Sequence, residues 1–529
     1  MIRFFRGHAK EYDVRSLLNI CLSISESCFI RNYLCRRLRA GGLQLMLCIM
    51  PALSPAQESS NTASLIMAER WSDAARAMLR EAAAIAPTTG GLPEIQARAG
   101  YLDDALDTIT RMYPNSQSWG YLELVRGTPN LNPEIRAQLV VQATAAARAD
   151  GANNLLMFRA GQLAQLTVFH AQEGRSANAA SLYAEALQTA TRSLQDQANG
   201  GYRPVTQELR NATPGTVSEA MFEQVRALLP RVRASQDRTF ACVDLAVAAE
   251  RQSKPALANA FIACGLVEAK GLASAGQRAS AETELGTVAV RTGFRHPVLE
   301  KPAKIKALRE ARDGRCEEAY AIATRQGQNL YVDAPQDVLS ALVDDALSRG
   351  DMKCALYIAQ RPKEPVGFVD AATWQRMADK QLARGERQQA LVSYRKAGHT
   401  LTDGHIEYQR SEYDVRRALQ LADSMRNAGL TRESTQLVMQ TYGMLAKIYP
   451  RNIDGRLAAA IALAPALWRV GEFAAARQLL ADACNGLATY DESGAGKIRK
   501  ARLLVAAGDA AAQIATLSGG KTPHVGPQR

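Results

Sequence analysis

Tight turns recur along this 529-residue chain at a spacing that suits a stack of paired helices. The stretches ARDGRCEEAYAIA, LSRGDMKCALYIA and LARGERQQALVSY each carry a glycine followed five residues later by an alanine, at Gly314 and Ala319, Gly350 and Ala355, and Gly385 and Ala390. Those glycines lie 36 and 35 residues apart. Gly100 (with Ala105) and Gly174 (with Ala179) are 74 apart, close to two such periods, and Gly314 follows 140 residues later, close to four. Gly429 (with Ser434) and Gly471 (with Ala476) continue the series at longer intervals of 44 and 42. The bare pattern has no weight in a chain with 37 glycines, so the phase carries the argument. A period near 35 is that of a helix–turn–helix unit which cannot bury its apolar face alone and must stack on its neighbours. Composition agrees. Alanine supplies 92 residues, about 17%, while aromatics make up only 6%. Alanine loses no side-chain entropy in a helix and lets helices approach closely, whereas a sheet would want β-branched and aromatic residues.

Two units carry a longer pattern. In AQEGRSANAASLYAEALQ, Gly174 is followed by Ala179, Tyr183 and Ala186. In ATWQRMADKQLARGERQQALVSYRKA, Gly385 is preceded by Trp374 and Met377 and followed by Ala390, Tyr394 and Ala397. Glycine permits the turn, the first alanine lets the two helices touch, the tyrosine fills the gap toward the next unit, and the second small residue admits the neighbouring helix. These units resemble the tetratricopeptide repeat. The resemblance implies an all-α, right-handed α-solenoid of antiparallel helical hairpins, about ten to twelve units over residues 65–515 at the family period. Most units outside the Gly174 and Gly385 segments are degenerate.

The expected organisation is a leader over 1–56, helical repeats over 57–195, a loop or linker over 196–216, further repeats over 217–517, and a disordered tail over 518–529. The linker expectation rests on the Gly-, Pro-, Asn- and Gln-rich stretch QDQANGGYRPVTQELRNATPG, and Arg291–Lys304 reads as a weaker break. The leader holds +5 of the net charge of +12, so the basic balance is no clue to a polyanion partner. Within it, Arg36, Arg37 and Arg39 precede the apolar run LQLMLCIMPAL and Ser54-Pro55-Ala56, the layout of a signal peptide cut after Ala56. That run is too short to span a membrane, so the mature chain is expected to have no transmembrane segment.

Five cysteines lie beyond the leader: Cys242, Cys264, Cys316, Cys354 and Cys484. None forms a CxxC pair or stands at ligand spacing from a histidine, so no metal is expected. Cys242 and Cys264 sit about equally far from a turn at 250–254, so a helical hairpin sets them level, either as a disulfide or as two small buried hydrophobes.

Chemistry leaves little trace. No nucleophile elbow, phosphate-binding loop, dinucleotide fingerprint or zinc-protease motif is present, and the six histidines are scattered. No catalytic residue and no cofactor are expected. Base readout by a helical solenoid needs polar positions recurring in every unit, and none recur, so no nucleic-acid partner is expected. In tetratricopeptide proteins the first helix of each pair lines a concave groove. Aligned on the turn glycines, that resemblance places Lys304, Asp344, Gln375, Asp379, Asp423 and Arg426 there, without the recurring Lys and Asn that clamp an acidic peptide tail. The expected function is a non-catalytic protein–protein interaction scaffold, exported to a bacterial periplasm or envelope, with a protein or peptide partner. A cytoplasmic regulator of a partner enzyme or transcription factor is the alternative, and an enzyme on an α-helical toroid is a third.

Overall fold

Helix after helix follows from the alanine-rich composition, and the structure, a computed structural model, is all-α. It describes residues 62–149, 156–196, 202–325, 335–361, 370–402, 411–448, 452–490 and 495–519, among which no strand forms. By its contacts the chain divides into residues 1–54 and 55–529, and every described residue belongs to the second unit. The leader and its cleavage site, and residues 520–529 of the tail, lie outside the described residues.

After a short helix at 62–67 come α1 (Trp71–Ile85), α2 (Leu92–Arg98), α3 (Leu102–Arg111), α4 (Pro114–Gly127), α5 (Pro133–Arg148), α6 (Leu156–Gln172), α7 (Ser176–Asp196) and α8 (Tyr202–Asn211). There follow α9 (Glu219–Leu228), α10 (Ser235–Arg251), α11 (Pro255–Ala269), α12 (Ala275–Thr292), α13 (Ala303–Arg312), α14 (Cys316–Ala323), α15 (Pro335–Ser348) and α16 (Met352–Ala359). The last are α17 (Ala371–Ala383), α18 (Arg387–Thr402), α19 (Glu412–Asn427), α20 (Thr431–Met444), α21 (Ile453–Arg469), α22 (Phe473–Ala488) and α23 (Ala495–Leu517).

One turn geometry joins most helix pairs. Gly385 ends α17 with φ +79°, its N–H donating to Leu382 O, while the N–H of Glu386 reaches back to Gln381 O. These two bonds satisfy carbonyls that the helix end leaves orphaned, and the left-handed φ disfavours any residue with a Cβ. The same pair of bonds, with positive φ, recurs at Gly100, Gly174, Gly314, Gly350, Gly429 and Gly471. It also recurs at Ser253 and Glu69, which a search for glycines misses. The chain is therefore a helical-repeat protein by its own recurring geometry.

Packing follows the same rhythm. Helices pack in pairs, such as α6 on α7, α10 on α11 and α17 on α18, and the first helices of successive pairs also pack in a row. That row runs α2, α4, α6, α8, α10, α12, α13, α15, α17, α19, α21, α23. It then returns to its start, because α23 packs closely on α1 and also touches α2. The first described long helix thus supplies the second member of the pair that the last helix begins. The core is correspondingly shared. One apolar cluster runs from Ala97 to Leu299, a second from Val290 to Ala476, and a third joins Ala63–Tyr101 to Ala458–Ile514.

Two sequence expectations change. Within 196–216, expected as a loop or linker, Tyr202–Asn211 form α8, whose Val205, Thr206 and Leu209 are buried between α6 and α10. The Gly and Pro that suggested a break fall before α8 (Gly200, Gly201), in its first turn, where Pro204 is tolerated, or after its end (Pro214, Gly215). Cysteine pairing also goes further than expected. Cys242 and Cys264 form a disulfide between α10 and α11, with Cα atoms 6.1 Å apart. Cys316 and Cys354 form a second, unforeseen disulfide between α14 and α16, with Cα atoms 5.7 Å apart. The segment 293–302, by contrast, is irregular, and α12 packs onto α13 without a partner helix of its own.

Candidate functional site

Side chains on the first-helix row were the sequence candidates for a ligand groove, and the structure places them plainly. Asp344 on α15 accepts from Arg376 on α17 at 2.7 Å. Gln375 Nε2 donates to Ser424 Oγ on α19 at 2.8 Å. Asp423 on α19 pairs with Arg469 on α21. These contacts link one first helix to the next, so the residues tie units together. Asp379 instead accepts from the Tyr394 hydroxyl within its own pair, and burial together with this carboxylate pushes the Tyr394 phenol up. Arg426 is half-buried with its Nε unpartnered, and Lys304 is half-buried in the first turn of α13.

The tie recurs elsewhere along the row. Arg312 on α13 meets Asp345 on α15 at 2.7 Å, and Asp345, whose side chain is 4% exposed, also accepts from Arg349. Arg210 on α8 meets Asp244 on α10 at 2.9 Å and Glu284 on α12 at 3.0 Å. Burial pushes the Asp244 carboxyl up, against the opposing pull of Arg210 and Thr206. Arg98 on α2 meets Asp509 on α23 at 2.7 Å, carrying the tie across the join between the chain's two ends. Sequence reasoning missed this pattern because the partners stand one or two periods away, or across the join at opposite ends of the row, at positions set by helix phase.

A different arrangement occupies α4, α6 and α8. Glu123 on α4 is half-buried and accepts from the Gly91 N–H at 3.2 Å. Burial pushes its carboxyl up to about 7; neighbouring Glu94 adds to this, while the Gly91 bond and Arg126 oppose it. One turn on, the Arg126 guanidinium lies 5.9 Å from the Phe169 ring centroid of α6 and faces both Glu123 and Glu208 electrostatically. Glu208 on α8 accepts from Gln165 Nε2 at 2.9 Å, and burial raises its carboxyl too. Among the described residues, no salt bridge at contact distance neutralises Glu123, Arg126 or Glu208. A carboxyl near 7 exchanges its proton at neutral pH, and its neutral form can donate a hydrogen bond as well as accept one. No sequence signal marks Glu123, since its environment comes from α2.

Two further features bound what the molecule can hold. A cleft of about 430 Å³ opens at the join, lined by Ser72, Arg98, Tyr101, Arg469, Asp509 and Leu517. Among the described residues, Cys316, Asp351 and Cys354 are grouped closely enough to hold a metal ion, but the two cysteines are bonded to each other, which withdraws both sulfurs from coordination. No helix among them is long and apolar enough to cross a membrane.

These properties define a helical-repeat protein with a polar first-helix row. No protein-family model matches the chain, and no curated protein matches it. Among solved structures it is similar to Ton1535 from Thermococcus onnurineus NA1, at 13% identity and a TM-score of 0.27, over 74% of this chain and 94% of that one. It is also similar to a circular tandem repeat protein with novel repeat topology, at 13% identity and a TM-score of 0.15, over 88% of this chain and 91% of that one.

Proposed function

We propose that the protein is a non-catalytic interaction scaffold of tetratricopeptide-like antiparallel hairpins with right-handed winding, acting in an oxidising compartment such as a bacterial periplasm. The recurring turn motif, with alanine five residues after the turn glycine in every case but Gly429, where Ser434 stands, supports the family reading. The observation that carries the function is the contrast along the first-helix row. Over α13–α21 Asp344, Asp345, Gln375 and Asp423 are engaged in ties, whereas the half-buried Glu123 and Glu208 and the exposed Arg126 have no ion-pair partner at contact distance among the described residues. Two carboxyls around one guanidinium suit a polypeptide segment that presents a basic side chain beside a carbonyl or carboxylate. The binding face is therefore assigned to α4–α8 instead of to the Lys304–Arg426 set.

Export is supported by the signal-peptide layout of the leader and by the two disulfides, which persist where the surroundings are oxidising. Affinity capture with the 57–529 chain, analysed by mass spectrometry, tests the reading. A partner held by the native chain and lost with Arg126→Glu and Glu208→Lys is the expected result. Capture indifferent to both substitutions would remove the face from consideration. The return of the helix row to its start favours one second reading, an enzyme on an α-helical toroid with Glu123 as its acid. Turnover of a glycan by the native chain, abolished by Glu123→Gln, would establish it instead.

A further inference from the structure

We propose that oxidation of Cys316 and Cys354 is a maturation step that clasps two successive helix pairs, and that Cys316 is the sulfur through which the oxidant enters. The proposal rests on the reading that the chain works in an oxidising compartment. It differs from that reading in assigning a modification, an order of events and a structural consequence.

The two disulfides have different architectural roles. Cys242–Cys264 joins α10 to α11, two helices that already share one of the most extensive contacts in the protein. Cys316–Cys354 instead joins α14 to α16, which are second helices of neighbouring pairs. Each has only 8 residues, whereas α18, at the corresponding place in the next pair, has 16. A helix of two turns offers little apolar surface to its neighbour, so this part of the second-helix row is where a covalent link adds most. The bond closes a loop with a sequence separation of 38, against 22 for the other pair, so it removes more freedom from the unfolded chain.

Exposure sets the order. Cys354 is 2% exposed, held in the first turn of α16 where Asp351 caps the helix by accepting the Cys354 N–H at 3.0 Å. Cys316 opens α14 and is only half-buried. The required oxidant is a protein disulfide of the thiol–disulfide oxidoreductase class. The Cys316 thiolate attacks one of its sulfurs, forms a mixed disulfide and expels the other sulfur as a thiolate. The Cys354 thiolate then attacks the Cys316 sulfur, closing the clasp and expelling the second oxidoreductase thiolate. Two electrons pass to the oxidoreductase, and the two protons lost from the cysteines leave its cysteines as thiols. Cys484 does not compete. It is buried with its thiol beside Met78 Sδ at 3.6 Å, and burial pushes that thiol up to about 12, so it stays protonated and unreactive.

The test is thiol mapping of the full protein recovered from its own host. Iodoacetamide is applied in denaturant before and after reduction, followed by peptide mass spectrometry. The expected result is a linked Cys316–Cys354 peptide before reduction, with Cys484 alkylated as a free thiol. Alkylation of both Cys316 and Cys354 without reduction would overturn the clasp, as would about one zinc per chain held by the same two sulfurs. A Cys354→Ser variant should trap the mixed disulfide at Cys316, whereas trapping in Cys316→Ser instead would reverse the assigned order. The double variant Cys316→Ser/Cys354→Ser should melt below the oxidised native protein and no lower than the reduced one, which has also lost Cys242–Cys264. Partner capture by that double variant separates the two proposals. Retained capture leaves the scaffold reading intact whatever the thiols do.

Discussion

At the scale of single residues, the repeat is held by small side chains in tight places. Ala179, Ala186, Ala319, Ala355, Ala390, Ala397 and Ala476 are all buried, and so are Trp374, Tyr183 and Tyr394. Tyr183 reaches from α7 to the next second helix, its hydroxyl donating to Met221 O at 2.7 Å. Tyr394, its counterpart by pattern, turns to Asp379 of its own pair, so the same residue type serves two contacts. Ala390 is 0% exposed, with no room for a larger group. Ala390→Trp is expected to destabilise the protein by about 1–3 kcal/mol through overpacking, measured by urea unfolding. Glu123 makes a separate prediction. Its folded-state carboxyl sits near 7 against an ordinary value of 4.5, so the folded protein holds this proton more tightly than the unfolded one. The resulting stabilisation is fully present below about 4.5 and is lost as pH rises through 7. Melting curves at pH 5 and pH 8 should show a smaller pH dependence for Glu123→Gln than for the native chain.

At the scale of elements, one device repeats: a charged or amide group on one first helix bonds to the next first helix. Such groups help set how each unit rotates on its neighbour, since apolar packing of alanine faces is nearly smooth and specifies register weakly. The buried member of each tie is the sensitive one. Arg312→Ala leaves Asp345 with Arg349 as its remaining guanidinium, and a buried carboxylate losing a charge-assisted bond costs roughly 1.5–3 kcal/mol. Chemical denaturation of Arg312→Ala should show that loss. Asp344→Ala, which removes a pair exposed on both sides, should change stability by well under ~1 kcal/mol. The candidate groove residues Asp344, Gln375 and Asp423 were legible as first-helix positions, but their partners were not, because helix rotation decides which side chains meet.

At the scale of the whole helical array, the ends meet. Helix α1 approaches α23 so closely that a Cβ on Gly508 would stand 2.7 Å from Leu79. Trp71 packs edge-on against Trp468 with centroids 5.1 Å apart, and Trp468 packs on Phe473 at 4.7 Å. Within the join, Lys500, 1% exposed, meets Glu81 at 3.1 Å. Removing one charge from such a pair strands the other, so Lys500→Ala should cost about 3–5 kcal/mol, whereas replacing both by Met and Leu should be near neutral. Thermal unfolding of the single and double variants checks this. If the two behave alike, the join does not depend on that pair.

The local chemistry of the chain determined a great deal. Alanine content made it helical, and the phase of Gly314, Gly350 and Gly385 located turns whose left-handed backbone needs little beyond the adjacent residues. What depended on residues far apart in the chain was decided by tertiary structure alone. Ser253 and Glu69 take the glycine turn because their neighbours hold them there, and Tyr202–Asn211 become a helix because α6 and α10 bury one face of it. Glu123 acquires its raised carboxyl from burial, with Glu94 of α2 adding to it. The pairing of Cys316 with Cys354, and of Lys500 with Glu81, exists only once whole units have stacked. Periodicity specifies the unit, since its hydrogen bonds are local; the row, its ties and its return to its own beginning come from packing between units.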